Sequence, residues 1–241
     1  MFHNRFFDSN NLKNIASSFR DSMRVKYYFF VFIILLLTGC ASSKDYYIEP
    51  ELENSKKTSS VLVVPIQQAW FEDNYSHAFG KLSGNGRQIF YSSLENLMSN
   101  KLRSKIKMVS EDQSYDGQLF KSTPLAFDGE FYNMMLPTDD VQFELPEYKP
   151  EIVLLLDQYF YYKRKEATGG LGYAGHEAKT QNILYFETKY IYWDTSSDKA
   201  VAWGSSYASK KVSNSQMVNP EDYREVLSEA VDKVIKQGPV L

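Results

Sequence analysis

The chain has 241 residues with 27 basic and 30 acidic side chains, a net charge of −3, and a single cysteine, Cys40. That balance offers no basic face to nucleic-acid phosphates, and one thiol cannot staple a fold by disulfides, so the domain must hold itself together by its core. An apolar run from Tyr27 to Leu37 follows Arg24 and Lys26. It falls short of the roughly 20 apolar residues that cross a bilayer, and it has the basic, apolar and small-residue order of a secretory signal peptide. The stretch from Met23 onward is already a complete signal, so Met23 is the expected true start.

The leader ends in Leu37-Thr38-Gly39-Cys40. This resembles the lipobox of bacterial lipoproteins, which implies cleavage between Gly39 and Cys40 and acylation of the Cys40 thiol. Each buried acyl methylene contributes about 0.8 kcal/mol, and several chains together make a lasting membrane anchor. Ala41 fits sorting to the outer membrane, on its periplasmic face, with the inner membrane and the cell surface as the alternatives. Loss of residues 1–39 leaves 22 basic and 28 acidic residues, a net charge near −6. Residues 40–58, rich in Glu, Asn, Ser and Lys, read as a flexible tether.

Residues 59–241 are long enough for one domain with a sizeable core. "SSVLVVPI" predicts a buried strand, and the stripe Ile89, Phe90, Leu94, Leu97, Met98, Leu102 predicts a helix over 87–103. "KIKMVS" predicts a brief strand. Residues 111–150 hold four prolines and scattered aromatics, which predicts a long irregular insertion with a short helix near Phe131 to Met135. "PEIVLLLDQYFYYKRK" is apolar on both faces and predicts a central strand, with Ile152, Leu154, Leu156, Phe160 and Tyr162 on one face and Gln158 as the exception. "ILYFETKYIYWD" and "AVAWGSSYASKKV", joined at "DTSSDK", predict a hairpin. Asn219 and Pro220 open a last helix whose stripe runs from Tyr223 to Ile235, and Gly238-Pro239 stops it. The expected class is α/β, an α+β sandwich with a mixed four- to five-stranded sheet and two main helices.

Few motifs carry chemistry. "GLGYAG", Gly170 to Gly175, matches a dinucleotide fingerprint in letters, but a strand rather than a helix is expected after it, so no nucleotide site follows. His77 has Glu72 and Asp73 nearby but no second histidine, so no metal site or other cofactor is expected. There is no G-x-S-x-G elbow, and with Cys40 acylated no Cys-His pair can form. Large rings in polar loops remain: Trp70, Phe71 and Tyr75 in one, Tyr173 at the tip of another. They either cover the sheet edge or form a partner-binding loop.

The order strand, loop, helix, strand, then three strands and a helix, behind a lipobox, resembles the periplasmic lipoproteins related to CsgG, LpoB and the N-terminal domain of TolB. "VLVVPI", "PEIVLLLDQYF" and "YIYWDTSSDKAVAWG" carry that resemblance. It implies no catalytic site and a role as adaptor or regulator binding an envelope protein, with the membrane reached through the lipid. An envelope hydrolase or glycan-binding enzyme with a carboxylate-lined cleft, and a lipid carrier with a large apolar cavity, are the alternatives.

Overall fold

The computed structural model describes residues 45–66, 70–71, 86–109, 115, 117–139, 141–167, 180–213 and 218–241, with the backbone alone at Trp70, Phe71 and Arg87. Lys44–Leu241 form one compact unit. Nine strands are present among the described residues: β1 (Tyr46–Ile48), β2 (Ser60–Pro65), β3 (Trp70–Phe71), β4 (Lys105–Met108), β5 (Phe120–Phe127), β6 (Glu130–Pro137), β7 (Ile152–Ala167), β8 (Thr180–Asp194) and β9 (Lys199–Val212). The helices are α1 (Pro50–Glu53), α2 (Gly86–Lys101) and α3 (Pro220–Lys236).

Six strands lie in the order β1-β9-β8-β7-β2-β4, and β3 joins β7 off this path, while β5 and β6 make a separate hairpin. The sheet is mixed: β2 runs parallel to both β4 and β7, whereas β7, β8 and β9 form an antiparallel meander with β1 on its outer edge. The class is α+β, as the pattern predicts. The sheet is wider than four or five strands because two very short strands, β1 and β3, add to it, and such segments have no periodicity to read.

Both sheet faces are buried near the centre. On one face, α2 and α3 set Phe90, Leu94, Met98, Tyr223, Val226, Leu227, Ala230 and Val234 against Val61, Val63, Ile152, Leu154, Tyr190 and Tyr192. On the other, the hairpin and residues 141–148 lay Phe120, Met134, Phe143, Leu145 and Tyr148 over Leu62, Val64, Val153, Leu155, Ile191 and Trp203. Burying each such side chain contributes about 1.5–3 kcal/mol, which explains why residues 61–64 of β2 and 152–156 of β7 are apolar at every position. The Tyr148 hydroxyl lies 2.9 Å from the Val61 carbonyl and 2.8 Å from that of Lys105, clipping β2 to β4.

Several local expectations are corrected. The 111–150 stretch is not irregular throughout, because residues 120–137 form the β5–β6 hairpin, turning at Asp128-Gly129 with both at positive φ. Phe131 to Met135, expected as a helix, lies in β6, where alternation puts Met134 in the core and leaves Phe131 76% exposed. In β7 a bulge between Leu156 and Gln158 inserts one extra residue. After it, Tyr159 and Tyr161, not Phe160 and Tyr162, join Ile152, Leu154 and Leu156 on the helix side. Part of the stretch read as tether is structured: Tyr46–Ile48 pair with β9 and Ile48 is buried. Asn219 sits at the N-cap of α3, yet its side chain makes no capping bond; its carbonyl accepts from the N–H of Asp222 at 3.1 Å.

Asp157, at the bulge, is buried and accepts the backbone N–H of Met135 at 3.2 Å, tying the hairpin to the sheet. Asp157→Ala leaves that part-buried N–H without its acceptor. It is expected to cost about 2 kcal/mol, and protease cleavage in residues 120–137 at temperatures where the rest of the domain stays folded is the check.

Candidate functional site

Two places on the described surface have the shape or composition of a site. The first is a cleft of about 800 Å³ at the end of the sheet where β2 and β7 begin and β8 ends, lined by Lys57, Ser60, Lys149, Glu151, Asp194 and Thr195 among others. Its carboxylates are already engaged. Glu151 accepts the N–H of Ser60 at 3.3 Å, and Asp194 accepts from the N–H and hydroxyl of Ser196, both at 2.7 Å, and from the N–H of Ser197 at 3.2 Å. Burial pushes the Asp194 carboxyl up, but these donors outweigh it and hold the group below the usual carboxylate range. A glycosidase-type acid needs the opposite shift. Two of its hydroxyls are committed as well: Ser60 donates to the Lys149 carbonyl at 3.1 Å and Thr195 to that of Pro150 at 2.8 Å. This is a network that fixes turns.

The second place is the far half of β7, β8 and β9, which run for 16, 15 and 14 residues and extend past the hairpin. The bulge at Asp157 sets its composition by turning Phe160, Tyr162 and Arg164 to the face opposite the helices. Register places Phe160 beside Glu187 and Glu187 beside Tyr207; Tyr162 beside Tyr185; and Arg164 beside Ile183 and Ile183 beside Lys211. Tyr162 and Tyr185 stack at 5.0 Å with planes 10° apart, and Phe160 follows at 5.8 Å from Tyr162. The Arg164 guanidinium lies 4.7 Å from the centre of the Tyr162 ring.

Carboxylates lock this ladder. The Tyr162 hydroxyl donates to Glu187 and that of Tyr185 to Glu166. Burial, then the bond to Glu187, pushes the Tyr162 phenol up to about 12; for Tyr185 the bond to Glu166 is the main cause of a rise. Both phenols therefore remain protonated donors at neutral pH. The stacking distance matches the spacing between strands, so the rings stack across the strands and stand on edge. Arg164 and Tyr185 both pack on the Tyr162 ring, and the two phenol hydroxyls are turned onto carboxylates. Tyr207, 58% exposed, flanks the ladder.

Of the residues singled out in the sequence, Trp70 and Phe71 are brought to this region by their backbone: β3 pairs them with Phe160 and Tyr161 of β7. Gly39, Cys40, Tyr75 and Tyr173 lie outside the described residues, as do His77 and the Gly170–Gly175 motif. Sequence reasoning missed Phe160, Tyr162, Tyr185 and Tyr207 as a group. Their signal was the set of aromatics facing one another across β7, β8 and β9 beside ionic residues, which only the register brings together. Among the described residues no group of three or more His, Cys, Asp or Glu could hold a metal ion, and no helix is long and apolar enough to cross a membrane. The void between α2, α3 and the sheet measures about 20 Å³, too small for an acyl chain.

No family model matches the chain, and no curated protein matches it. Among solved structures, the chain is similar to one from Helicobacter pylori described as a homolog of the neuraminyllactose-binding hemagglutinin. Sequence identity is 11% and the TM-score 0.35, over 75% of this chain and 84% of that one. A likeness at that level carries no argument.

Proposed function

We propose that this protein is a lipid-anchored, non-catalytic interaction module of the bacterial cell envelope, and that the aromatic ladder on β7 and β8 is where it grips a protein partner. The ladder is the observation that carries the reading. Tyrosines and arginine, restrained by bonds to Glu166 and Glu187 and by packing on each other, have the composition of an interface hot spot, and that restraint lowers the side-chain entropy lost on binding. The committed carboxylates of the end cleft and the near-absence of a void under the helices favour this reading over a hydrolase and over a lipid carrier. The anchor rests on the lipobox at Leu37 to Cys40, and the partner is reached from the periplasmic face of the outer membrane.

The test is capture in intact cells by a photo-crosslinking residue at Ser205, which is exposed on the ladder side of β9, away from the strand tip. One envelope protein is expected to dominate the adducts. Tyr162→Ala and Tyr185→Ala are each expected to cost about 2 kcal/mol of binding, roughly thirtyfold in affinity, without unfolding the domain. Capture that both variants leave intact would remove the ladder from the site, and cleavage of peptidoglycan by the purified protein would reverse the reading. In parallel, Cys40→Ser is expected to take up no labelled fatty acid and to abolish acyl anchoring; equal labelling of the two forms would rule out the anchor.

A further inference from the structure

The ends of the long strands carry a second pattern. Lys163, Arg164, Lys165, Lys210 and Lys211 gather there with Glu166 as the one acid of those strand ends. The mature chain outside them holds 17 basic and 27 acidic residues, so a positive tip sits on a strongly negative body. Lys210 is neutralised by Asp222, at 2.8 Å, and by Glu225. Arg164, Lys165 and Lys211 are exposed, and no ion pair engages them among the described residues. Two residues before Ser209, Tyr207 stands exposed with the Lys233 ammonium 5.0 Å from its ring centre. Exposed tyrosine beside lysine and arginine is the pairing that settles at a bilayer interface, ring among the headgroups and cations on the phosphates.

Where the chain enters the domain strengthens this. Tyr46 pairs with Gly204 and the N–H of Ser205 donates to the Asp45 carbonyl at 3.1 Å, so the entry point lies on β9, six residues before Lys211. Cys40 precedes Tyr46 by six residues, a span of at most about 20 Å even when extended. The corresponding distance from Ser205 to Lys211 along a strand is also about 20 Å.

We infer that the tip of β7 and β9, through Arg164, Lys165, Lys211 and Tyr207, docks on the phosphate headgroups of an anionic phospholipid surface. This rests on the acylation of Cys40, which keeps the domain within reach of that surface. Each cation near an anionic leaflet contributes about fivefold in affinity, too little to recruit a free protein but enough to orient one already tethered.

The experiment uses the full lipoprotein with Ser209→Cys carrying an environment-sensitive fluorophore, Cys40 being blocked by its lipid, and a second form labelled at Ser197→Cys in the β8–β9 turn. Each is reconstituted in vesicles of phosphatidylethanolamine with phosphatidylglycerol, and in vesicles of phosphatidylcholine alone. The Ser209 probe is expected to shift to the blue only with phosphatidylglycerol and to revert in about 1 M salt, where the Debye length is about 3 Å; the Ser197 probe stays aqueous throughout. Arg164→Gln and Lys211→Gln are each expected to lower the docked-to-undocked ratio about fivefold. An aqueous Ser209 probe on protein that floats with the vesicles overturns docking and leaves the anchor standing. Protein that fails to float overturns the anchor, and titrating it with the same vesicles at higher concentration then decides docking alone. A shift without vesicles, which would mark contact between copies, or one indifferent to salt and to both glutamine variants, overturns the proposal.

Discussion

Tyr192→Ala is expected to destabilise the domain by about 4 kcal/mol, the upper range for emptying a large core site, and to lower its melting temperature by roughly 10 °C. The ring is fully buried in β8 and sits between the sheet and the end of α3. Its hydroxyl donates to the Val234 carbonyl at 3.2 Å, one of the last-turn carbonyls of the helix. Gly238, just past the helix, lies so close to the ring that a Cβ there would overlap it, so the chain turns onto the tyrosine and not merely near it. Burial pushes the Tyr192 and Tyr190 phenols far above their ordinary range, so neither ionises while the domain is folded. Tyr192→Phe keeps the ring, loses one hydrogen bond and leaves the carbonyl unpaired, a cost of about 1 kcal/mol. Thermal unfolding followed by circular dichroism separates the two variants. A loss under 1 kcal/mol for the alanine form would mean that α3 does not seat on this strand.

Gly204→Val is expected to detach β1 from β9 while the remaining sheet stays folded, at a cost of about 3 kcal/mol. A Cβ at position 204 would lie 2.6 Å from the Tyr46 Cβ, 2.7 Å from the Asp45 carbonyl oxygen and 2.8 Å from the Tyr46 Cα. Two of these three atoms are backbone, so no rotamer change relieves the clash and the strand itself must move. Its departure would forfeit the burial of Ile48 and the stack of Tyr47 on Trp203 at 4.0 Å. Limited proteolysis should then cut between residues 45 and 59, with a red shift in tryptophan emission as Trp203 loses its cover. A protease pattern identical to the wild type would show that β1 accommodates the valine.

The regular parts of this fold were legible in the sequence because their signals are redundant. The stripe from Tyr223 to Val234, bounded by Asn219-Pro220 and Gly238, has one reading, and the helix lies where it points. The alternation of Leu184, Phe186, Thr188, Tyr190 and Tyr192 likewise puts those residues on the helix side. Strand β7 was misread beyond Leu156 for a physical reason: both its faces are apolar, so a one-residue change of phase leaves the pattern intact. Asp157, a carboxylate inside an apolar run, was the one letter that marked the bulge. The hairpin at 120–137 was hidden because Pro124 and Pro137 sit within its strands, and a two-stranded sheet off the main one tolerates prolines that a central strand would not. The ladder could not be found by position in the chain, since Tyr162 and Tyr185 are neighbours only through the β7–β8 register.

The meander has an uneven wrapping along its own length. Leu154 and Ile191 are closed in between helices on one side and the hairpin on the other, whereas Ala167 and Thr180, at the far ends of the same two strands, are exposed. Local opening follows such cover. Backbone amides of one continuous strand therefore span nearly the whole range of hydrogen-exchange rates: those around residue 154 wait for global unfolding, and those near residue 166 exchange through fraying that leaves the core undisturbed.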